Sequence, residues 1–288
     1  MKPHTIVVGA DGTEHSKAAV RWAAREAYRR GLPLRVSHVF DWEWGEARYD
    51  MSNTYFDEAR KHAEGVTGTA VYEARTAALE VDVEGDPLVG HAPARLLGEA
   101  EDAELMVLGS RGRGGFASLL LGSVSQRVAT HAACSVVVVR GRGGDLTEGP
   151  VAVGLDDSAT ADTVLAVAFE QAAGRGSRLL VIRGQAPVGY VAGDVELPEP
   201  SAEERARVEA QLAPWRGKYP DVPVDVRLVR DGAAAALVDA SSRAQLVVVG
   251  SRGRGTITGT VLGSVGLQLL HHADCPVYIV REPVRRQG

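Results

Sequence analysis

The chain has 288 residues, 45% of them hydrophobic and 24% charged, which is enough apolar content for sizeable cores and excludes a disordered chain. With 37 Asp and Glu against 32 Lys and Arg the net charge is -5, so a basic stripe for duplex DNA is missing and no nucleic-acid polymer is expected as a partner. No apolar run approaches the ~20 residues of a membrane span, the opening MKPHTIVVGADG lacks a signal-peptide core, and two cysteines are too few for a disulfide framework. The expected location is therefore the cytoplasm, away from any membrane.

In chain order, β-branched runs alternate with helix-like stretches. HTIVVGA (4–10) reads as a strand. Residues 15–30 place Ala19, Trp22, Ala23 and Ala27 on one helical face, and Gly31 is a stop signal. LRVSHVF (34–40) is the next strand, and the polar segment at about 54–77 is helical. ALEVDVEG (78–85) alternates like a strand, and Pro87 then precedes a helix near 88–102. ELMVLGS (104–110) is short and almost wholly apolar, as suits a strand covered on both faces. A Gly-rich stretch leads to a helix at 123–132 and a last strand at 135–140.

The second half repeats the first. MVLGSRGRG (106–114) matches VVVGSRGRG (247–255) at seven of nine positions. Leu121-Gly122-Ser123-Val124 matches Leu262-Gly263-Ser264-Val265, and His131-Ala132-Ala133-Cys134 matches His272-Ala273-Asp274-Cys275. IVVGAD (6–11) matches VAVGLD (151–156). The period is a whole domain, far longer than a solenoid unit. Copy one is expected over 1–145 and copy two over 146–288, joined by the glycine- and charge-rich GRGGDLTEG. Copy-two strands fall near 150–155, 178–184, 223–229, 245–250 and 276–281. Each copy is thus an α/β unit with five strands, which right-handed crossovers arrange as a parallel sheet with helices on both faces.

Ligands of such sheets sit beyond the carboxyl ends of the strands, and the most unusual residues lie there. Gly109-Ser-Arg111-Gly112 is followed by nine residues and then Gly122-Ser123; Gly250-Ser-Arg252-Gly253 is followed by nine and then Gly263-Ser264. Glycines leave backbone N–H groups unshielded, so the chain can wrap an anion. A helix opening at Gly122-Ser123 adds free N–H groups and a favourable dipole, with Ser123 as N-cap. Arg111 and Arg113 supply positive charge nearby. The bland alternative is a flexible loop with a capping serine. Walker A is absent, and Gly112–Ala117 fits a relaxed dinucleotide pattern only by chance, because it follows the fourth strand and has no acid about 20 residues on. Asp11 and Asp156 each stand just past a first strand, placed either to accept from an adenine amino or ribose hydroxyl group or to cap the following helix.

On these residues the chain resembles a tandem universal stress protein. The resemblance implies five parallel strands per copy in the order 3-2-1-4-5, an ATP-binding site in each copy, and a cytoplasmic, stress-linked, mostly non-catalytic role. It assigns the adenine of copy one to Asp11 and Val39, the ribose to Gly109, and the phosphates to Gly112, Gly122, Ser123, Val124 and Ser125. In copy two it picks Asp156, Gly250, Arg252, Gly253, Gly263, Ser264 and Val265. It also implies Mg2+ on the phosphates. Gly184 replaces Val39 and Gly266 replaces Ser125, so both sites are expected to bind, the first more tightly. The family pairs its last strands across a dimer; the apolar VVVV and VYIV runs imply an internal pseudo-dimer here, and two chains are then expected to associate as a homodimer.

Other residues attract attention without forming a site. Cys134 and Cys275 read as small buried thiols. His131, His271 and His272 lack partners at metal-ligand spacing. Trp42, Trp44 and Tyr49 crowd the loop after strand two, as a lid or as ordinary packing. Three functions remain open: a sensor or regulator that binds ATP, AMP or cyclic AMP in a stress response; a slow ATPase; and a nucleotide-independent scaffold. A regulatory protein partner is expected, but the sequence does not name it.

Overall fold

A computed structural model describes residues 5–41, 54–112, 120–141, 148–184, 202–230, 232–251 and 262–282. The chain divides into two compact units, which part between Gly144 and Asp145.

Unit one contains β1 (Thr5–Gly9), α1 (Glu14–Arg30), β2 (Leu34–Phe40), α2 (Thr54–Ala77), β3 (Val83–Val89), α3 (Ala92–Ala100), β4 (Ala103–Gly109), α4 (Ser123–His131) and β5 (Ser135–Val139). Its strands are parallel and ordered β3-β2-β1-β4-β5. The order reverses at β1 and β4, so their carboxyl ends diverge and open a crevice.

The residues explain the elements. Helix α1 starts where the Thr13 side chain accepts from Ser16 N, and it stops at Gly31 with φ +62. Its buried face, Ala19, Ala23 and Ala27 with Trp22, is mostly small, so the helix lies close to the sheet. The central strands β1 and β4 bury Ile6, Val8, Leu105, Met106 and Val107 completely. Each such side chain contributes about 1.5–3 kcal/mol through loss of apolar surface to water.

One segment departs from the sequence pattern. The third strand begins at Val83, not at 78, and Pro87 lies inside it, while α3 starts only at Ala92. Ala78 N still bonds to Ala74 O, prolonging α2, and Leu79 is 88% exposed in the turn. Proline is tolerated because β3 pairs on one side only, with β2, and needs no donor along its outer edge.

Unit two contains β6 (Val151–Gly154), α5 (Ala161–Ala173), β7 (Leu179–Gly184), α6 (Ala202–Lys218), β8 (Val224–Val229), α7 (Ala233–Ser241), β9 (Leu246–Gly250), α8 (Ser264–His272) and β10 (Val277–Val280). Its parallel order, β8-β7-β6-β9-β10, repeats that of unit one. All five strands coincide with the apolar runs of the sequence. Among the described residues no helix is long and apolar enough to cross a membrane.

Candidate functional site

The loop after β4 is shaped by its backbone. Ser110 N donates to Val139 O at 2.9 Å, and Gly122 N returns to Ser110 O at 2.8 Å, pinching the loop mouth shut. Helix α4 is capped by Gly122 (φ -75, ψ 146), not by Ser123, which is its exposed first residue. The expected serine cap is therefore corrected. Loop closure consumes the Gly122 N–H and fixes that residue in the extended cap conformation, so Ser123 enters the helix. The first intrahelical donor is Gln126 N, to Gly122 O. The N–H groups of Ser123, Val124 and Ser125 precede it and have no helical acceptor, an arrangement suited to an anion.

Each glycine has its own reason. A Cβ on Gly109 would lie 2.6 Å from His15 O, so that position is emptied by the start of α1. A Cβ on Gly112 would lie 2.6 Å from Asp11 Oδ2, so the loop passes directly over the carboxylate. Gly122 has ordinary room, its nearest neighbours being 3.5 Å away.

Asp11 does not cap α1; Thr13 does. Instead Asp11 Oδ1 accepts from Thr13 N (3.0 Å) and Thr13 Oγ1 (2.7 Å), which orients the carboxylate with Oδ2 toward Gly112. The Ser125 hydroxyl is buried and donates to Gly109 O at 2.6 Å. His15 feels the charges of both Asp11 and Arg111. Burial lowers its pKa first, the Arg111 charge lowers it further, and Asp11 opposes both.

These groups surround one cavity of about 510 Å³ at the carboxyl ends of the strands. Asp11, Val39, Gly109, Arg111, Gly112, Gly122, Ser123, Val124 and Ser125, nine copy-one residues singled out in the sequence, line it. Its volume lies within the ~300–1,000 Å³ typical of small-molecule sites. Sequence reasoning missed other parts of the wall: Phe40 at the end of β2 and Asp41 after it, Ala59 and His62 from α2, and Leu96 from α3. No local spacing links these helices to the glycine loop; only the folded sheet brings them there. It also missed His38, which is buried and whose Nδ1–H donates to Ala10 O at 2.7 Å.

Copy two keeps the same framework. Asp156 Oδ1 accepts from Ser158 N (3.0 Å) and Ser158 Oγ (2.5 Å). Gly263 N closes on Ser251 O at 2.9 Å, and Gly263 caps α8, so Ser264 and Val265 offer the same unbonded N–H groups. Gly250 ends β9 as Gly109 ends β4. Arg252 and Gly253 lie outside the described residues, as do Arg113, Trp42, Trp44 and Tyr49.

The strand-two end differs. A Cβ on Gly184 would lie 2.7 Å from Ala233 N, so no valine can stand where Val39 stands in copy one. A Cβ on Gly266 meets Leu262 Cδ1 at 3.0 Å, so a leucine occupies the space beside it. Cys134 and Cys275 are buried, and neither forms a disulfide. Among the described residues, no three His, Cys, Asp or Glu side chains converge as a metal cluster would require.

Two doubly wound α/β units, the first with a strand-end cavity beside a glycine-capped helix, define a tandem α/β protein. The chain belongs to the universal stress protein family, whose model matches residues 3–140 and 149–281. A universal stress protein of Mycobacterium tuberculosis (strain ATCC 25618 / H37Rv) is 38% identical over 302 residues, covering 98% of both chains. One from Mycolicibacterium smegmatis is 33% identical over 291 residues, covering 96% of both. The crystal structure of a universal stress protein from Archaeoglobus fulgidus DSM 4304 shares the fold at TM-score 0.72 and 21% identity, over 98% of this chain and 99% of that one.

Proposed function

We propose that copy one binds an adenine nucleotide, ATP above all, and that the chain acts in the cytoplasm as a nucleotide-dependent regulator in a stress response. The observation that carries the reading is the convergence of nine sequence-selected residues on one cavity. Phosphates would lie against the N–H groups of Ser123, Val124 and Ser125, with Gly112 admitting close approach and Arg111 supplying charge. The ribose and base would extend toward Asp11, Val39 and Phe40. AMP and cyclic AMP share this chemistry at one phosphate.

The carboxylates lining the cavity are Asp11 and Asp41. Asp11 already holds Thr13 through Oδ1, so among the described residues the cavity offers no dedicated cage for a cation. A magnesium ion would be held here chiefly through the nucleotide phosphates rather than by protein carboxylates. When bound it would neutralise phosphate charge. The Ser123 hydroxyl is the exposed protein oxygen beside the phosphate N–H groups.

Native mass spectrometry of the purified protein, followed by calorimetry with ATP, AMP and cyclic AMP, tests the reading. Bound adenine nucleotide that disappears in a folded Gly122→Val protein is the expected result. Failure to bind any of the three at millimolar concentration would overturn it.

A further inference from the structure

The two copies differ most where β2 and β7 end. Ala10 N donates to Ser37 O, and Leu155 N donates to Ile182 O, each at 3.0 Å. The next residues, His38 and Arg183, therefore occupy equivalent places. His38 ties down the Ala10 carbonyl and lines the copy-one cavity. Arg183 is a guanidinium with only 1% of its surface exposed.

That charge is fully engaged. Arg183 Nε donates to Glu204, Nη2 to Asp157 Oδ1 at 2.7 Å, and Nη1 to Gln211 Oε1 at 3.4 Å. Glu204 lies in the first turn of α6, the counterpart of α2. In copy one, α2 contributes Ala59 and His62 to the cavity wall. Asp157 stands where copy one has Gly12. The wall that faces the base end of the cavity in copy one is thus, in copy two, a partly buried ionic cluster around a buried guanidinium.

A base entering there would have to part the guanidinium from its carboxylates. Breaking a buried pair leaves an uncompensated charge in a low dielectric, which is strongly unfavourable. The apposition of Gly184 to Ala233 also removes the apolar side wall that Val39 gives copy one. Meanwhile the described part of the copy-two loop keeps its closure from Gly263 N to Ser251 O and its glycine-capped helix.

We infer that Arg183, held by Glu204 and Asp157, excludes the base from copy two, so that the chain binds one nucleotide, in copy one. This rests on the proposed reading of copy one and sharpens it: the residue at the end of the second strand decides which copy takes the ligand. It replaces the expectation of two sites graded in affinity.

The test is the stoichiometry of ATP binding, by calorimetry in magnesium buffer. The wild-type chain is expected to bind one ATP and Gly122→Val none. The double variant Arg183→His, Glu204→Ala removes the cation and its less exposed carboxylate together, and leaves Asp157, 41% exposed, to water. It is expected to bind two. Two ATP on the wild-type chain, one ATP retained by Gly122→Val, or one only on the folded double variant would overturn the inference. Should the wild-type chain bind no ATP, the reading of copy one falls by itself. The double variant then decides this inference alone: ATP gained upholds it, and none gained overturns it.

Discussion

The buried Ser125 hydroxyl donates to the Gly109 carbonyl at 2.6 Å, tying the first turn of α4 to the last residue of β4. This bond spans the mouth of the glycine loop, beside the backbone closure from Gly122 N to Ser110 O. Ser125 therefore holds the ligand-facing N–H groups in place through its side chain, while its own N–H belongs to that set.

Ser125→Ala is expected to destabilise the protein by about 1–2 kcal/mol, as the loss of a buried hydrogen bond that leaves one partner in place. Denaturant unfolding monitored by circular dichroism measures it. ATP affinity should fall only modestly, because the backbone N–H remains. A loss of affinity above a hundredfold with unchanged stability would mean that the hydroxyl itself meets the ligand.

Gly109 and Gly122 should separate fold from binding. Gly109→Ala pushes a methyl group to 2.6 Å from His15 O, which is backbone and cannot swing away. Overpacking of that kind costs roughly 1–3 kcal/mol or more. Gly122→Ala meets nothing nearer than 3.5 Å, so it should lose at most about 1 kcal/mol, through a poorer helix cap. The expected result is a thermal midpoint well below wild type for the first and close to it for the second.

The Asp11 carboxylate should matter for ligand more than for fold. Asp11→Asn can keep an oxygen on Thr13 N and Oγ1, so stability is expected to change by under about 0.5 kcal/mol. The substitution replaces the oxygen facing Gly112 with an amide and removes a charged acceptor. Such hydrogen bonds contribute about 1.5–3 kcal/mol, so ATP affinity should drop roughly 10- to 100-fold by calorimetry.

Much of this architecture is legible because the apolar runs of β1, β4, β6 and β9 are short and flanked by glycines, and duplication shows each pattern twice. The third strand starts at Val83 rather than at 78 because the alternation of Val81 and Val83 with acids begins in the turn after α2, and an edge strand accommodates Pro87, which the sequence places ahead of a helix. Ser123 suggested a cap through its residue type, but the Gly122–Ser110 closure sets the helix start one residue earlier. Arg183 was out of reach for a different reason. A basic residue ending a strand is ordinarily solvated, and its burial depends on Glu204, brought over by a helix 21 residues later in the chain.

His15 sets a pH dependence. In the folded protein burial lowers its pKa from 6.5, and the Arg111 charge adds to that, so protonation is disfavoured relative to the unfolded chain. Just below pH 6.5 the unfolded state then binds more protons at this site than the folded state, and stability rises with pH across that window. The His15 contribution is complete above the unfolded pKa and is lost as pH falls toward the lowered folded value. Denaturant midpoints should therefore decline on acidification from pH 7 to pH 5.5. His15→Gln, which cannot titrate, should flatten that slope by up to one proton. Arg111→Gln removes the second cause and should shrink the decline while leaving the part due to burial. A wild-type slope unchanged by His15→Gln would assign the pH response to other groups.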